Sequence, residues 1–382
     1  MKPILFHLQH LFGSGHVQRV RVLSEVLARK GYPVALISGG LEHPVLTESS
    51  IRLFQLPGIK ADNDLGKLVD LDGNCVNDDL WEQRSLLIRQ IVLEVKPAMI
   101  ITEGFPFARR RFSREILEMF DTARTELKLP TMNLCSVRDI VQPIQCPDRQ
   151  NQVIKTLNEY YDHILVHGEP SFVPLQLSFP RLDKISKPIT YTGYLNTAIR
   201  SHRPVNRTSG QVLVSAGGGI VGQAIYKTAI QAASSFQGAD WKWHILIGNS
   251  VSDSDFIGWR QIAPNNLILE RNRADFRQLL ASCEVSVSQI GYNTAVDLVE
   301  TGTQGIVIPY EADGEKEQMM RAKALIEYNH VKVLKESELS EVTLINAISE
   351  VMSQSKKLFA PFRSDGIERF LDIIDSIYPI YA

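Results

Sequence analysis

Cysteine is scarce. The chain of 382 residues has four, Cys75, Cys135, Cys146 and Cys283, widely spaced and with no C-x-x-C pair. That spacing excludes a zinc ribbon and a disulfide-stapled scaffold. No run of about 18 apolar residues is present, so no segment reads as a membrane span. The opening Met1–His7 is too short an apolar stretch for a signal peptide. Charge of one sign is lacking too: 41 Lys and Arg stand against 43 Asp and Glu, which gives no general reason to expect nucleic acid. Neither a Walker-type turn nor a Gly-x-Ser-x-Gly elbow occurs. No His, Cys and carboxylate cluster falls at ligand spacing. Asp253-Ser254-Asp255 and Asp62-Asn63-Asp64 read as surface loops, so no essential metal and no cofactor is expected. The expected location is the cytoplasm, with peripheral contact at the inner face of a membrane left open.

What the chain does contain is alternation. Residues 3–8 read as a strand, 13–15 as a glycine turn, 17–29 as a helix and 33–38 as a second strand, one βαβ unit. Strands at 51–55, 98–102, 131–136 and 163–167 follow, separated by helices at 80–95, 113–127 and 149–161. After a polar stretch at 191–210, broken by Pro204 and Gly210, a second series begins. Its strands lie at 211–215, 243–247, 267–269, 285–288, 305–308 and 332–334, with a helix at 223–235. Such alternation implies α/β domains with parallel sheets covered on both faces. An apolar-rich helix at 367–380 closes the chain. The boundaries expected are 1–200 for the first domain, 201–210 for a linker, 211–360 for the second domain and 361–382 for the terminal helix.

Residues 284–323 carry the densest pattern. A buried strand ends in a turn at Gly291, a helix opens through Asn293 and Thr294, and Asp297 lies one turn inside it. Free backbone N–H groups at such a helix start, helped by its dipole, suit a phosphate. Asp297 could accept hydrogen bonds from a ribose diol. Glu317 and Gln318 open another helix after a polar loop, where they could grip sugar hydroxyls. Together these groups fit a nucleotide-sugar. A dehydrogenase fits less well: after Gly217-Gly218-Gly219 the next strand, 244–248, ends without the acidic residue that would read a ribose.

Candidate bases lie in the first half. In Gly13-Ser14-Gly15-His16 the imidazole opens a helix, whose dipole favours the neutral ring, and it could deprotonate a hydroxyl. It could equally donate to a phosphate. Asp139, after an apolar strand beside Arg138, is the second candidate, and Glu103, at another strand end, the third. Arg138 and Asp139 could instead form a loop-stabilising ion pair. Arg109, Arg110, Arg111 and Arg114 start a helix whose dipole they oppose, an arrangement that an anionic partner would relieve.

The order of a Gly-Ser-Gly-His turn, a Ser-Ala-Gly-Gly-Gly turn at 215–219 and the constellation at 284–323 resembles the GT-B glycosyltransferases, in particular the branch of the peptidoglycan lipid-intermediate GlcNAc transferase. The segments 103–112 and 136–139 resemble a predicted glycosyltransferase group related to that enzyme. The resemblance implies two Rossmann-like domains facing a cleft, with the last helix returning to the first domain. It implies that Gly217, Gly218 and Gly219 approach the diphosphate and that Gly291, Asn293 and Thr294 form the phosphate-side turn. Asp297 would stand where relatives hold the ribose with Glu, and Glu317-Gln318 where they touch the donor sugar with a Gln pair. The backbone at Asn272-Arg273 would read the base edge. Gly13, Ser14, Gly15, Arg109 and Arg138 fall on the acceptor or phosphate side. The expected activity is inverting, metal-independent transfer from a nucleoside-diphosphate sugar, with UDP the expected nucleotide, to an acceptor that the sequence leaves unidentified: small molecule, glycan or lipid-linked. The alternatives are a UDP-sugar hydrolase, a 2-epimerase, or a non-catalytic sugar-nucleotide-binding subunit.

Overall fold

Strand β1 (Ile4–Leu8) is fully buried, and it organises the first half of the computed structural model. The structure describes residues 1–11, 15–49, 51–62, 67–127, 130–196, 207–217, 221–235, 241–311, 315–328, 331–353 and 361–378. Around β1 run β2 (Val34–Ser38), β3 (Arg52–Gln55), β6 (Met99–Glu103), β7 (Met132–Arg138), β8 (His163–His167) and β9 (Ile189–Tyr191). A small antiparallel pair, β4 (Lys60–Ala61) and β5 (Leu68–Val69), stands apart. The seven-stranded sheet is wholly parallel, in the order β3-β2-β1-β6-β7-β8-β9. Its helices are α1 (Gly15–Arg29), the short α2 (Pro44–Thr47), α3 (Asp78–Val95), α4 (Ser113–Thr125) and α5 (Pro147–Tyr160). Local chemistry sets their ends. The Asn77 side chain accepts from Leu80 N at 2.9 Å to start α3, and Pro147 occupies the first turn of α5. Phe105, Phe107 and Phe112 are core residues here, each buried at 1% exposure or less.

A second sheet follows, also parallel, in the order β12-β11-β10-β13-β14-β15. Its strands are β10 (Gln211–Ser215), β11 (Lys242–Ile247), β12 (Leu267–Arg271), β13 (Val285–Ser288), β14 (Gln304–Val307) and β15 (Val331–Val333). Helices α6 (Gln223–Ser235), α7 (Asp253–Gln261), α8 (Phe276–Ser282), α9 (Tyr292–Thr301), α10 (Glu317–Ile326) and α11 (Glu341–Ser353) connect them. Gly302, at φ 58°, ends α9 in the left-handed conformation that glycine adopts without a Cβ penalty.

The chain divides into two compact units, Met1–Thr197 with Ser364–Ala382, and Ala198–Arg363. Helix α12 (Gly366–Ile377) packs against α1, and its Asp375 meets Lys30 and Tyr32. Gly366 N donates to Tyr194 O at 3.1 Å, while a Cβ on Gly366 would fall 2.6 Å from Gly193 O, so the approach depends on glycine.

Three expectations change. The polar stretch opens with structured residues of the first unit: Tyr191 ends β9, and Tyr194 and Leu195 are buried. Asp253-Ser254-Asp255 opens a helix, because Ser252 Oγ caps Asp255 N at 3.1 Å. Helices α8 and α11 were not read at all. Residues 197–206 of the polar stretch lie outside the described residues.

Candidate functional site

In each sheet the strand order reverses beside the first strand, between β1 and β6 in one and between β10 and β13 in the other. Connections leave the two strands in opposite directions there, opening a crevice at their carboxyl ends where open α/β sheets bind ligands. The residues of interest gather at these two switch points, so each unit has its own half-site.

At the first, α1 begins at Gly15 shortly after β1, and Glu103 is the last residue of β6. His16 Nδ1 lies 2.8 Å from Glu103 Oε1, and Arg19 Nη1 donates to the same oxygen at 2.6 Å. His16 and Arg19 are three apart on α1, so both reach one carboxylate. The carboxylate is 2% exposed and the imidazole 21%. Burial alone would raise the Glu103 pKa, but His16, Arg19 and Arg109 together hold it well below the usual carboxylate range. Burial lowers the His16 pKa, and the Arg109 and Arg138 charges push the same way against the pull of Glu103. The ring is therefore neutral near pH 7. With Nδ1–H donated to a carboxylate, Nε2 carries the lone pair, the arrangement a general base requires.

This geometry changes two of the three candidate bases. Glu103 is held by a histidine and an arginine and kept ionised, so it orients His16 rather than taking a proton. Asp139 is completely buried: Tyr194 Oη donates to Oδ2 at 2.7 Å and Ile140 N to Oδ1 at 2.9 Å. Gly168 packs so closely that a Cβ there would lie 2.8 Å from the Asp139 Cβ. Asp139 anchors the loop after β7 and has no open side for a substrate. Arg138 ends β7, half-buried, and Arg109 donates from Nε to Gln9 O at 2.6 Å. Gly13 and Ser14 lie outside the described residues.

At the second switch point, Gly217 follows β10 with φ 69° and open space where a Cβ would point. Gly218 and Gly219 lie outside the described residues. Gly291 caps α9 with no side-chain acceptor and likewise faces open space. Asn293 and Thr294 lie in the helix's first turn, where backbone N–H groups have no intrahelical partner. Ser288 Oγ, at the end of β13, is buried without a partner.

Side chains expected to hold the donor have partners of their own. Arg277 donates to Asp297 Oδ1 from Nε at 2.9 Å and from Nη2 at 2.6 Å. Burial raises the Asp297 pKa against the pull of that guanidinium. Glu317 is buried beside the fully buried Arg321, whose Nη2 donates to it at 3.0 Å and whose Nη1 donates to Ile290 O at 3.1 Å. A carboxylate so committed is scaffold, contrary to the sugar contact expected of it. Gln318 Oε1 accepts from Ile290 N at 3.1 Å and Tyr310 N at 3.2 Å, tying the loops after β13 and β14 together. Asn272 N donates to Ile247 O, and the exposed Arg273 forks onto Asp275. Sequence reasoning missed Arg19, Arg277, Arg321 and Tyr194. For Arg19 the signal was available, three residues beyond His16 on one helix face, and Arg321 lies four residues beyond Glu317; Arg277 and Tyr194 pair across longer separations.

Among the described residues no group of three or more His, Cys, Asp or Glu could hold a metal, and no helix is long and apolar enough to cross a membrane.

Two parallel, doubly wound sheets with a returning C-terminal helix define the architecture of the GT-B glycosyltransferases. MurG from Acinetobacter baumannii superposes with a TM-score of 0.62 at 13% identity, covering 99% of this chain and 100% of that one. The glycotransferase of kitacinnamycin gives 0.60 at 14%, covering 99% and 95%. At such identities the likeness shows the fold. In sequence, residues 212–377 match the glycosyltransferase family 28 C-terminal domain. Two similar curated relatives are both UDP-N-acetylglucosamine–N-acetylmuramyl-(pentapeptide) pyrophosphoryl-undecaprenol N-acetylglucosamine transferases. The one from Desulforamulus reducens is 30% identical over 93 residues, 24% of this chain and 25% of its own length. That from an Exiguobacterium species is 22% identical over 165 residues, 42% and 46%. The chain thus spans less than half the length of these relatives. It resembles that branch of the GT-B glycosyltransferases, as the motifs at 13–16, 215–219 and 284–323 implied.

Proposed function

We propose that the chain is an inverting, metal-independent glycosyltransferase whose donor is a UDP-linked sugar. The observation that carries this reading is the His16–Glu103 pair at the first switch point, a neutral imidazole with its tautomer set by a buried carboxylate. His16 Nε2 takes the proton of an acceptor hydroxyl as that oxygen attacks the anomeric carbon, and Glu103 stabilises the imidazolium that forms. The C–O bond to the diphosphate breaks as the new one forms, which inverts the anomeric centre. Backbone N–H groups at Gly217 and in the first turn of α9 meet the charge on the leaving diphosphate. That supply of positive potential takes the place of a metal. Asp297, held by Arg277, accepts from the ribose, and the Asn272-Arg273 backbone meets the base edge.

The relatives' names supply an analogy for substrates: a UDP-sugar and a lipid-linked pyrophosphate. An acceptor of that kind would bring the protein into contact with a membrane surface. A hydrolase would use the same pair on water. Measuring nucleotide release from UDP-N-acetylglucosamine and other UDP-sugars, with and without acceptor alcohols, separates the readings. Acceptor-dependent release is expected. Release at the same rate without acceptor supports hydrolysis, and binding without turnover supports a non-catalytic subunit.

A further inference from the structure

The first unit contains a cavity of about 570 Å³, walled by the loop after β6, the start of α4 and one face of α5. Arg109, Arg110, Arg111 and Arg149 line it, and none of the described lining residues is acidic. Its apolar wall includes Leu68, Phe105 and Phe112. Arg110 and Arg111 form a short turn directly ahead of α4, and Arg149 lies in the first turn of α5. Both helices therefore present the positive ends of their dipoles beside four guanidinium groups. Burial and then the nearby Arg149 charge lower the pKa of Arg110, whose Nη1 donates to Phe107 O at 3.0 Å. Arg109 adopts the left-handed backbone at φ 60°, uncommon outside glycine and frequent at binding sites. Guanidinium forks match phosphate oxygens in pairs.

We propose that this cavity binds a compact phosphate monoester, its dianionic group held by Arg110, Arg111 and Arg149 and its apolar body against the half-buried Leu11 and Leu68. The volume suits a small molecule in a cleft. The site goes beyond the glycosyl-transfer reading and does not rest on it, since this ligand is distinct from a lipid-linked pyrophosphate acceptor. Arg109 connects the two, since it lines the cavity and its charge acts on His16.

The test is calorimetric titration of the full chain with phenyl phosphate, inorganic phosphate and benzyl alcohol, in the unmodified protein and in the R111Q/R149Q double variant. Both arginines are exposed, so the variant should keep the fold, and its melting temperature and UDP affinity are the controls. Phenyl phosphate should bind one to one and at least about tenfold more tightly than inorganic phosphate, with benzyl alcohol silent. The variant should lose about tenfold or more in phenyl phosphate affinity while UDP binding is unchanged. Equal binding by a folded double variant overturns the proposal, as does no binding at millimolar phenyl phosphate. Capture only by phosphatidic acid vesicles, without monomeric binding, identifies a lipid-surface patch and overturns it too. Failure of acceptor-dependent nucleotide release would leave these binding results standing, so the two ideas fail separately.

Discussion

The two switch points have the same topology and opposite chemistry. Where β1 and β6 diverge, the crevice is filled with ionisable side chains: His16, Glu103 and Arg19 in contact, with Arg109 and Arg138 acting on them. Where β10 and β13 diverge, the open features are backbone, a left-handed Gly217 and an uncapped helix start at Gly291. The nearby charged side chains there are already paired, Asp297 with Arg277 and Glu317 with Arg321. One half-site can move a proton; the other can hold a charge without moving one. That division is what group transfer from a diphosphate needs, because the leaving group is stabilised by fixed dipoles and the nucleophile is activated by a base.

If the division holds, the largest effect belongs to His16. His16→Ala should lower kcat by roughly 10²–10⁴-fold and leave UDP affinity within about twofold. Loss of UDP affinity with kcat near the unmodified value would instead make His16 a donor ligand. Glu103→Gln is next. It should lower kcat by about 10–100-fold, as expected for a residue that orients and stabilises the base rather than acting as it.

The pH profile sharpens the same point. Because the His16 pKa lies below its ordinary value, the base stays deprotonated into mildly acidic solution, and kcat/KM should hold from neutral pH down through about 6.5 before falling. Glu103 raises the His16 pKa, so Glu103→Gln should move that acid limb to still lower pH. An upward shift would contradict the assigned pair.

At the second half-site the effects should be on binding. Asp297→Ala should weaken UDP by about 1.5–3 kcal/mol if a charged hydrogen bond to ribose is lost. Arg277→Ala tests whether Asp297 acts as a positioned group, and should weaken UDP less than Asp297→Ala does. The smallest kinetic effect is expected at Asp139. Asp139→Asn should change kcat only a few-fold while lowering stability by about 1–3 kcal/mol, since the amide disturbs the buried hydrogen bonds from Tyr194 Oη and Ile140 N. A drop of 10²-fold or more in a folded variant would restore Asp139 as the base.

Much of this was legible in the sequence. Most of the strand order, the helices that open at Gly15 and Tyr292 and the position of the terminal helix follow from local periodicity and punctuation, which depend on neighbouring residues. His16 was legible because helix starts and their dipoles are local. The roles of carboxylates were not. Glu103, Asp139 and Glu317 look alike in a sequence, each polar and near the end of an apolar element. What separates them is a distant partner: Arg19 and His16 across 84 and 87 residues for Glu103, and Tyr194 across 55 for Asp139. Even the Glu317–Arg321 pair, four residues apart, reads as an exposed helix contact until α10 is seen to bury it. Burial of a charge is a tertiary property, and a carboxylate's chemistry follows from it.

The central claim is that nucleotide binding resides at the second switch point alone. Amide hydrogen exchange of the full-length protein, with and without saturating UDP, tests it without any substitution. The account predicts slowed exchange around Gly217 and through residues 288–297, with exchange around β1, His16 and Glu103 unchanged. Protection confined to residues 15–19 and 103–109, with none in 288–297, would contradict it.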